Sequence, residues 1–519
     1  MHQPASPQQP QQPWQPAPPI PAYAQQPHGA VGPGGASWSG PPRQTRWAAL
    51  WGNKALRATG LVVLLALSGL VILALVREQT GTKGFLVGLG LATLPVPLLL
   101  AAFRWADRVE PKPWRNLAFA FAWGACAATL VALIANGFAT QWLTTTIVET
   151  SPDDEADADA WGATFVAPVV EESAKAAAVL LLFLFRRRDF NGIVDGVVVA
   201  GVTATGFAFT ENILYLGTAF VSDQEFGYSG LRSTTAATFF IRAVMSPFAH
   251  PLFTAMTGVG FGLAAVATQR QRARRILIPI AALLAAMVLH GVWNGSATFG
   301  GYGFLAVYAL FMVPLFGLLT WLTIWSRGNE LRAVGAQLTT YQAAGWLTPP
   351  EPPALSSMRA RGIARDLARR SRGPAAARTV GEYIAYATSL ALLRQRAHRG
   401  IADPDFSARE RELLQQLWQR REVAQPALAH AALSVRPPRP PMPQPMPMPL
   451  AHAMPPATPG SHAQHHPQPQ HHAQPMPTPH AETQASAPAP HRQPPQYGPW
   501  STQPYGPYGA PGRPPQSHL

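Results

Sequence analysis

Eight apolar runs, each long enough to cross a lipid bilayer, follow one another between residues 55 and 327 and constrain the architecture before anything else does. A hydrocarbon core of about 30 Å takes roughly 17–25 residues of helix to cross. A helix also satisfies its backbone hydrogen bonds within one segment, which lipid requires. The runs lie near 60–76, 84–103, 117–137, 163–185, 193–217, 236–268, 276–298 and 304–325. The expected fold class is therefore all-α: a polytopic membrane protein of about eight transmembrane helices, with disordered Pro-rich tails and a cytoplasmic helical region. The sixth run is too long for one straight span and contains Pro247 and Pro251, so a broken or re-entrant helix is expected there.

Around this membrane domain (55–327) the composition changes abruptly. Residues 1–54 and 436–519 are rich in Pro, Gln, His, Met and Gly and hold many of the 55 prolines among 519 residues. Such tails bury too little apolar surface to offset chain entropy and are expected to be disordered. Nine histidines between His452 and His518 read as the composition bias of the tail rather than a metal tract. Residues 328–435 have the apolar/basic periodicity of helices resting on a membrane face. No signal peptide is expected, because the first apolar run starts near residue 60 without a small-residue cleavage pattern. Cys126 is the single cysteine and leaves no disulfide to propose.

A net charge of +14 would suit nucleic acid, but its placement points to lipid instead. With residue 1 on the cytoplasmic side, the segments facing inward carry Arg43, Arg46, Lys54, Arg57, Arg104, Arg108, Lys112, Arg115, Arg186–Arg188 and Arg270–Arg275, whereas the outer loops hold only Arg77, Lys83 and Arg232. The loop after the third run is acidic, with Glu149, Asp153, Asp154, Glu155, Asp157 and Asp159. The positive-inside rule then places both termini in the cytoplasm and the chain in the cell (plasma) membrane as a multi-pass protein. Lipid bilayer is an expected partner; nucleic acid is not.

Five ionisable residues sit inside these runs: Glu171, Glu172, Glu211, His250 and His290. Each costs several kcal/mol at membrane depth unless it has a partner and a task. At 1.5 Å per residue all five converge on one layer in the outer half of the bilayer. A single glutamate or histidine can simply stitch helices together, but four segments agreeing on depth argue for one site. Lys175 is three residues from Glu172 and four from Glu171, so it can pair with either. Adjacent glutamates point about 100° apart on a helix, so one of the two is expected to face the site. Asn294 shares a face with His290, where its amide can orient the imidazole or donate to an oxyanion. Arg242 is a candidate partner for one of the acids, and Tyr215 is expected to act as an interfacial anchor.

These residues suit water activation, and two versions stay open. In one, Glu171 or Glu172 takes the proton while His290 and Asn294 stabilise the oxyanion. In the other, Zn²⁺ is held by His250, His290, Glu171 and Glu211 and lowers the pKa of its water to about 7. Two rival classes are a proton- or ion-coupled transporter and a non-catalytic scaffold with a vestigial site. Against transport, no inverted repeat is visible and the polar residues share a depth instead of tracing a path.

The order EESAK (171–175), GFAFTENILY (206–215), RAVMSPFAH followed by Gly258, and HGVWN (290–294) resembles the PrsW intramembrane proteases, distant relatives of the CAAX-processing membrane proteases. The resemblance covers roughly 55–330. Glu211 stands where the prenyl-protease branch has a histidine, which is closer to the PrsW pattern. It implies an intramembrane metallopeptidase-type endopeptidase cleaving membrane-tethered substrates, the family's known task being the first cut of a single-span anti-sigma factor. Under that resemblance Glu171, Glu172, Glu211, His250 and His290 carry the chemistry with Asn294 in support, while spacing and charge add Lys175 and Arg242 as supporting residues.

Overall fold

The computed structural model describes residues 54–146, 160–268, 270–401 and 404–435; both tails and most of the acidic loop lie outside the described residues. Among the described residues every regular element is helical. Five helical stretches are long and apolar enough to cross a membrane. The first (Ala55–Ala106) and the last (Arg272–Ala343) are 52 and 72 residues long, and each contains two of the expected runs. The run bearing Glu171, Glu172 and Lys175 forms helix α5, Ala167–Phe185, which carries these three charges within five residues.

Helix α1 (Lys54–Thr93) bends at Gly81, where φ is +63°, a conformation glycine adopts without a Cβ clash. Helix α2 (Val96–Ala106) follows a short break at Leu94–Pro95. Helices α3 (Trp114–Ala122) and α4 (Thr129–Thr146) run on through a π turn at Trp123–Ala128. After α5 comes α6 (Ile193–Phe226), the axis of the membrane part: 89% of its most apolar window is buried, against 17% in the first stretch. Apolar helices gain little by leaving lipid for one another, so close packing needs small residues. Gly196 of α6 meets Gly258 of α8 (Ala249–Val266) backbone to backbone, and a Cβ on either would lie within 2.3 Å of the other's carbonyl oxygen. Gly206 likewise meets the Phe121 carbonyl of α3, and Gly88 of α1 meets that of Ile213. Leucines such as Leu64, Leu67 and Leu70 of α1 stay exposed, as lipid-facing side chains do.

The break expected in the sixth run is present. Helix α7 (Thr234–Phe239) passes through a π turn, Phe240–Met245, and helical geometry stops at Ser246 before α8 begins. Pro247 falls in the break, and Pro251 sits in the first turn of α8, where a missing N–H costs nothing. Helix α9 (Arg272–Gly295) brings in His290, and α10 (Gly300–Val307) leads through a π turn into α11 (Val313–Ala343). Helix α11 crosses position 327 unbroken. Its far end packs with α12 (Glu351–Leu355), α13 (Met358–His398) and α14 (Phe406–Val435) around a core that includes Leu338, Tyr341, Tyr383, Leu390 and Leu428.

This C-terminal region is clipped to the membrane part by buried polar groups. Arg361 of α13 donates to the Val109 carbonyl (2.9 Å), the Leu355 carbonyl (2.7 Å) and Thr388 Oγ1 (2.9 Å). Asn191 Nδ2 donates to Glu110 (2.5 Å), which also accepts from Ser389. Asp195, in the first turn of α6, forms a buried ion pair with Lys112, which also pairs with Asp107 at 3.0 Å.

Candidate active site

Pro168 fits the first turn of α5, and the preceding π turn Gly162–Val166 sets the rotation at which the helix presents Glu171, Glu172 and Lys175. Lys175 is fully buried and stands at the centre of the polar cluster. Its ammonium donates to Glu171 Oε2 (3.2 Å) and Glu172 Oε1 (2.9 Å) and lies 3.2 Å from His250 Nδ1. It also sits 3.8 Å from the centroid of the Phe207 ring, a cation–π contact. An ammonium has only donors, so His250 Nδ1 accepts and the ring's proton is on Nε2. That nitrogen faces Glu211 Oε2 at 2.8 Å, which fixes the tautomer from both sides.

Glu211 is shared between His250 and Arg242, the latter through a close ion pair. Arg242 Nε donates to Asn212 Oδ1 (2.7 Å), and the guanidinium lies 4.0 Å from the Tyr215 ring centroid. Tyr215 therefore backs an arginine of the site in addition to standing near the end of its span. His290 Nδ1 is 3.1 Å from Glu172 Oε1 and its Nε2 is 3.8 Å from Glu171 Oε2. Phe253 stacks on the His290 ring at 4.9 Å between centroids. Thr254 Oγ1 donates to Glu172 Oε2 (2.8 Å), completing that carboxylate's partners.

A cavity of about 680 Å³ opens beside the cluster. Glu171, His250, Glu211, Arg242 and Asn294 line it, whereas Glu172, Lys175 and His290 lie behind the wall. Of the adjacent glutamates, Glu171 thus faces the open space and Glu172 supports from within. Asn294 departs from expectation. Its amide donates to the Ala163 carbonyl (2.9 Å) in the π turn before α5, and neither holds the His290 ring nor stands beside it as a donor.

The donor chemistry fits a metal ion. One ligand atom each from Glu171, His250 and His290 lie within 4.8 Å of one another, a carboxylate and two imidazoles of the kind a catalytic zinc takes. Glu211, expected as a fourth ligand, is outside this group; it pairs with His250 Nε2, while His250 Nδ1 faces the Lys175 ammonium. Three carboxylates also face only two permanent cations, Lys175 and Arg242, which leaves one negative charge for a proton or a metal to match.

Thr254, Phe253, Asn212 and Asn136 were not singled out in the sequence. Phe253 and Thr254 follow His250 by three and four residues, the spacing that shares a helix face. Asn136 carried its own signal as a lone amide inside an apolar run.

Every candidate site residue falls inside a segment, 112–319, that matches the family model described as PrsW family intramembrane metalloprotease. A curated relative named Protease PrsW, from Oceanobacillus iheyensis, is 29% identical over 154 residues. That alignment covers 29% of this chain and 60% of the relative, so the chain spans less than two thirds of the length of the curated relative it matches. No solved structure matches the chain. Over residues 112–319, the membrane part of this chain is thus similar to the PrsW family of intramembrane metalloproteases.

Proposed function

We propose that this protein hydrolyses peptide bonds in membrane-tethered substrates near the outer membrane face, with single-span proteins such as an anti-sigma factor as the substrate class. The observation that carries this reading is Glu171: a carboxylate facing a cavity at membrane depth, flanked by a buried lysine and two imidazoles. A peptide bond inside lipid needs a place where water can gather and a base to activate it. Glu171 takes a proton from that water as its oxygen attacks the carbonyl carbon. The same carboxyl returns the proton to the leaving nitrogen as the C–N bond breaks. Lys175 and His290 hold Glu171 in place, and Glu172 with Thr254 holds Lys175 and His290. His250, oriented by Glu211, lines the cavity beside Glu171. Asn294 keeps the π turn before α5 in register.

In a metal-dependent version Glu171 would instead join His250 and His290 in holding Zn²⁺, and the ion when bound would supply a water of pKa about 7 and a Lewis acid for the carbonyl. The asymmetry of basic residues supports an orientation with both termini in the cytoplasm and the cavity toward the outside, in the plasma membrane. Residues 328–435 then form a cytoplasmic helical region.

The test is cleavage of single-span substrates by the reconstituted protein. Wild type is compared with Glu171→Ala, Glu172→Ala, Glu211→Ala, His250→Ala and His290→Ala. Loss of turnover by about 10²-fold or more is expected for Glu171→Ala and His250→Ala. Undiminished cleavage by all five variants overturns the site. Elemental analysis of protein without the His-rich tail reads the metal directly.

A further inference from the structure

Asn136 of α4 lines the same cavity. Its Nδ2 points at Glu171 Oε1, 3.4 Å away, while its Oδ1 is buried with no hydrogen-bond partner. Turning the amide over does not relieve this, because it would set oxygen against a carboxylate oxygen. Several other uncharged polar side chains along the cavity have partners. Thr205 donates to the Gly201 carbonyl, Thr210 to that of Ala125, and Asn212 accepts from Arg242. Among the described residues that line the cavity, Asn136 supplies the buried side-chain oxygen left without a donor.

A buried amide oxygen without a donor costs about 1–3 kcal/mol, so its retention beside the base calls for a ligand that satisfies it. A membrane-spanning substrate supplies one. Such a segment arrives as a helix whose backbone groups are paired, and its peptide bond becomes accessible only where the helix unwinds. Unwinding frees N–H and C=O groups at a depth where water is scarce, and each is costly until matched. A carboxamide is the uncharged side chain that offers both an acceptor and donors.

We infer that Asn136 is a substrate-binding residue whose carboxamide oxygen accepts a hydrogen bond from a backbone N–H of the unwound substrate strand next to Glu171. The inference rests on the proteolytic reading above and adds to it the chemical group recognised: main chain, not side chain. Recognition at this point is then indifferent to the substrate's side chains. The Nδ2 group meanwhile keeps Glu171 Oε1 turned toward the strand.

The experiment uses the full chain in bilayers and a single-span substrate. A series of substrates replaces, one at a time, the amides flanking the cleaved bond with esters, each of which lacks one N–H. Wild type is expected to lose about tenfold in kcat/KM at one ester position, the worth of one hydrogen bond to a buried acceptor. Asn136→Leu, close in shape but unable to accept, is expected to lose about tenfold on the all-amide substrate and nothing further at that ester position. Equal cleavage of the all-amide substrate by Asn136→Leu and wild type overturns the inference and leaves the proteolytic reading intact. So does an Asn136→Leu variant that keeps the wild-type pattern of ester sensitivity. Absence of cleavage by wild type overturns the proteolytic reading itself. Should Asn136→Leu lose all turnover, substrate affinity is read in the inactive Glu171→Gln background, with and without Asn136→Leu. About tenfold weaker binding supports the contact, and unchanged binding overturns it.

Discussion

Two clusters of buried charge sit along α6, one at its middle and one in its first turn, and they differ in what surrounds them. One, at Glu211, gathers Glu171, Glu172, Lys175, Arg242, His250 and His290 beside a cavity of about 680 Å³. The other, at Asp195, joins Asp107, Glu110, Lys112, Asn191, Ser389 and Arg361 where the C-terminal helices meet the membrane part. Both contain a lysine shared by two carboxylates. The first adds two imidazoles and open space at the face of a carboxylate; the second adds backbone carbonyls and contacts between distant segments. Buried charge therefore does not by itself mark a catalytic site. It marks an obligation to pair, and the site is where pairing leaves room for a reactant.

Exchanging each central lysine for methionine tests that comparison most strongly. Lys175→Met is expected to lower turnover about 10³-fold, because it frees Glu171, Glu172 and His250 at once. Lys112→Met is expected to cost about 3–5 kcal/mol of stability, the penalty for stranding one side of a buried pair, while turnover per folded molecule stays near wild type. Thermal unfolding and substrate cleavage measured on the same samples separate the two effects. Equal loss of turnover per folded molecule in both variants breaks the distinction.

A smaller effect is expected from pH at the junction. Desolvation there, with the charge of Asp195 adding, raises the Glu110 carboxyl from its ordinary 4.5 to about 7, against the pull of Lys112 and Arg396. An acid whose folded pKa is raised favours the fold in its protonated state. Its contribution is fully present below about pH 4.5 and is lost as pH rises through about 7. Glu110→Gln should flatten the fall in unfolding temperature between those values, and an unchanged slope would remove Glu110 from the account. The smallest effect concerns Thr254. Thr254→Val removes one hydrogen bond to Glu172 and should cost about 1 kcal/mol, with a few-fold loss of turnover. A loss comparable to that of Glu171→Ala would place Thr254 among the residues that touch substrate.

Much of the site was legible because lipid makes polar residues conspicuous. Glu171, Glu211, His250 and His290 stood out within apolar runs, and helix spacing tied Lys175 to both glutamates, as the contacts bear out. The reach of Asn294 was not legible. Its one-turn spacing from His290 suggested a shared task, but its amide donates to the Ala163 carbonyl in the π turn before α5. Asn136 was overlooked as a single amide, since nothing in a linear sequence says that its oxygen lacks a donor. Thr254 looked like any small residue of a packed span.

The sequence by itself determined that this chain is a bundle of membrane-crossing helices, where the sixth run breaks, and which residues share a depth. Those features follow from the one-dimensional pattern, because lipid admits few backbone structures and penalises each unpaired charge. Tertiary structure decided which glutamate faces the cavity, that Glu211 holds His250 by the nitrogen away from the cluster, and that Asp195 pairs with Lys112 eighty-three residues earlier. Each of these depends on helix rotation and on glycine contacts such as Gly196 with Gly258, which fix how closely neighbouring helices approach. Rotations of that kind are set by the fit of one helix surface against another, and that fit exists only once the helices have met.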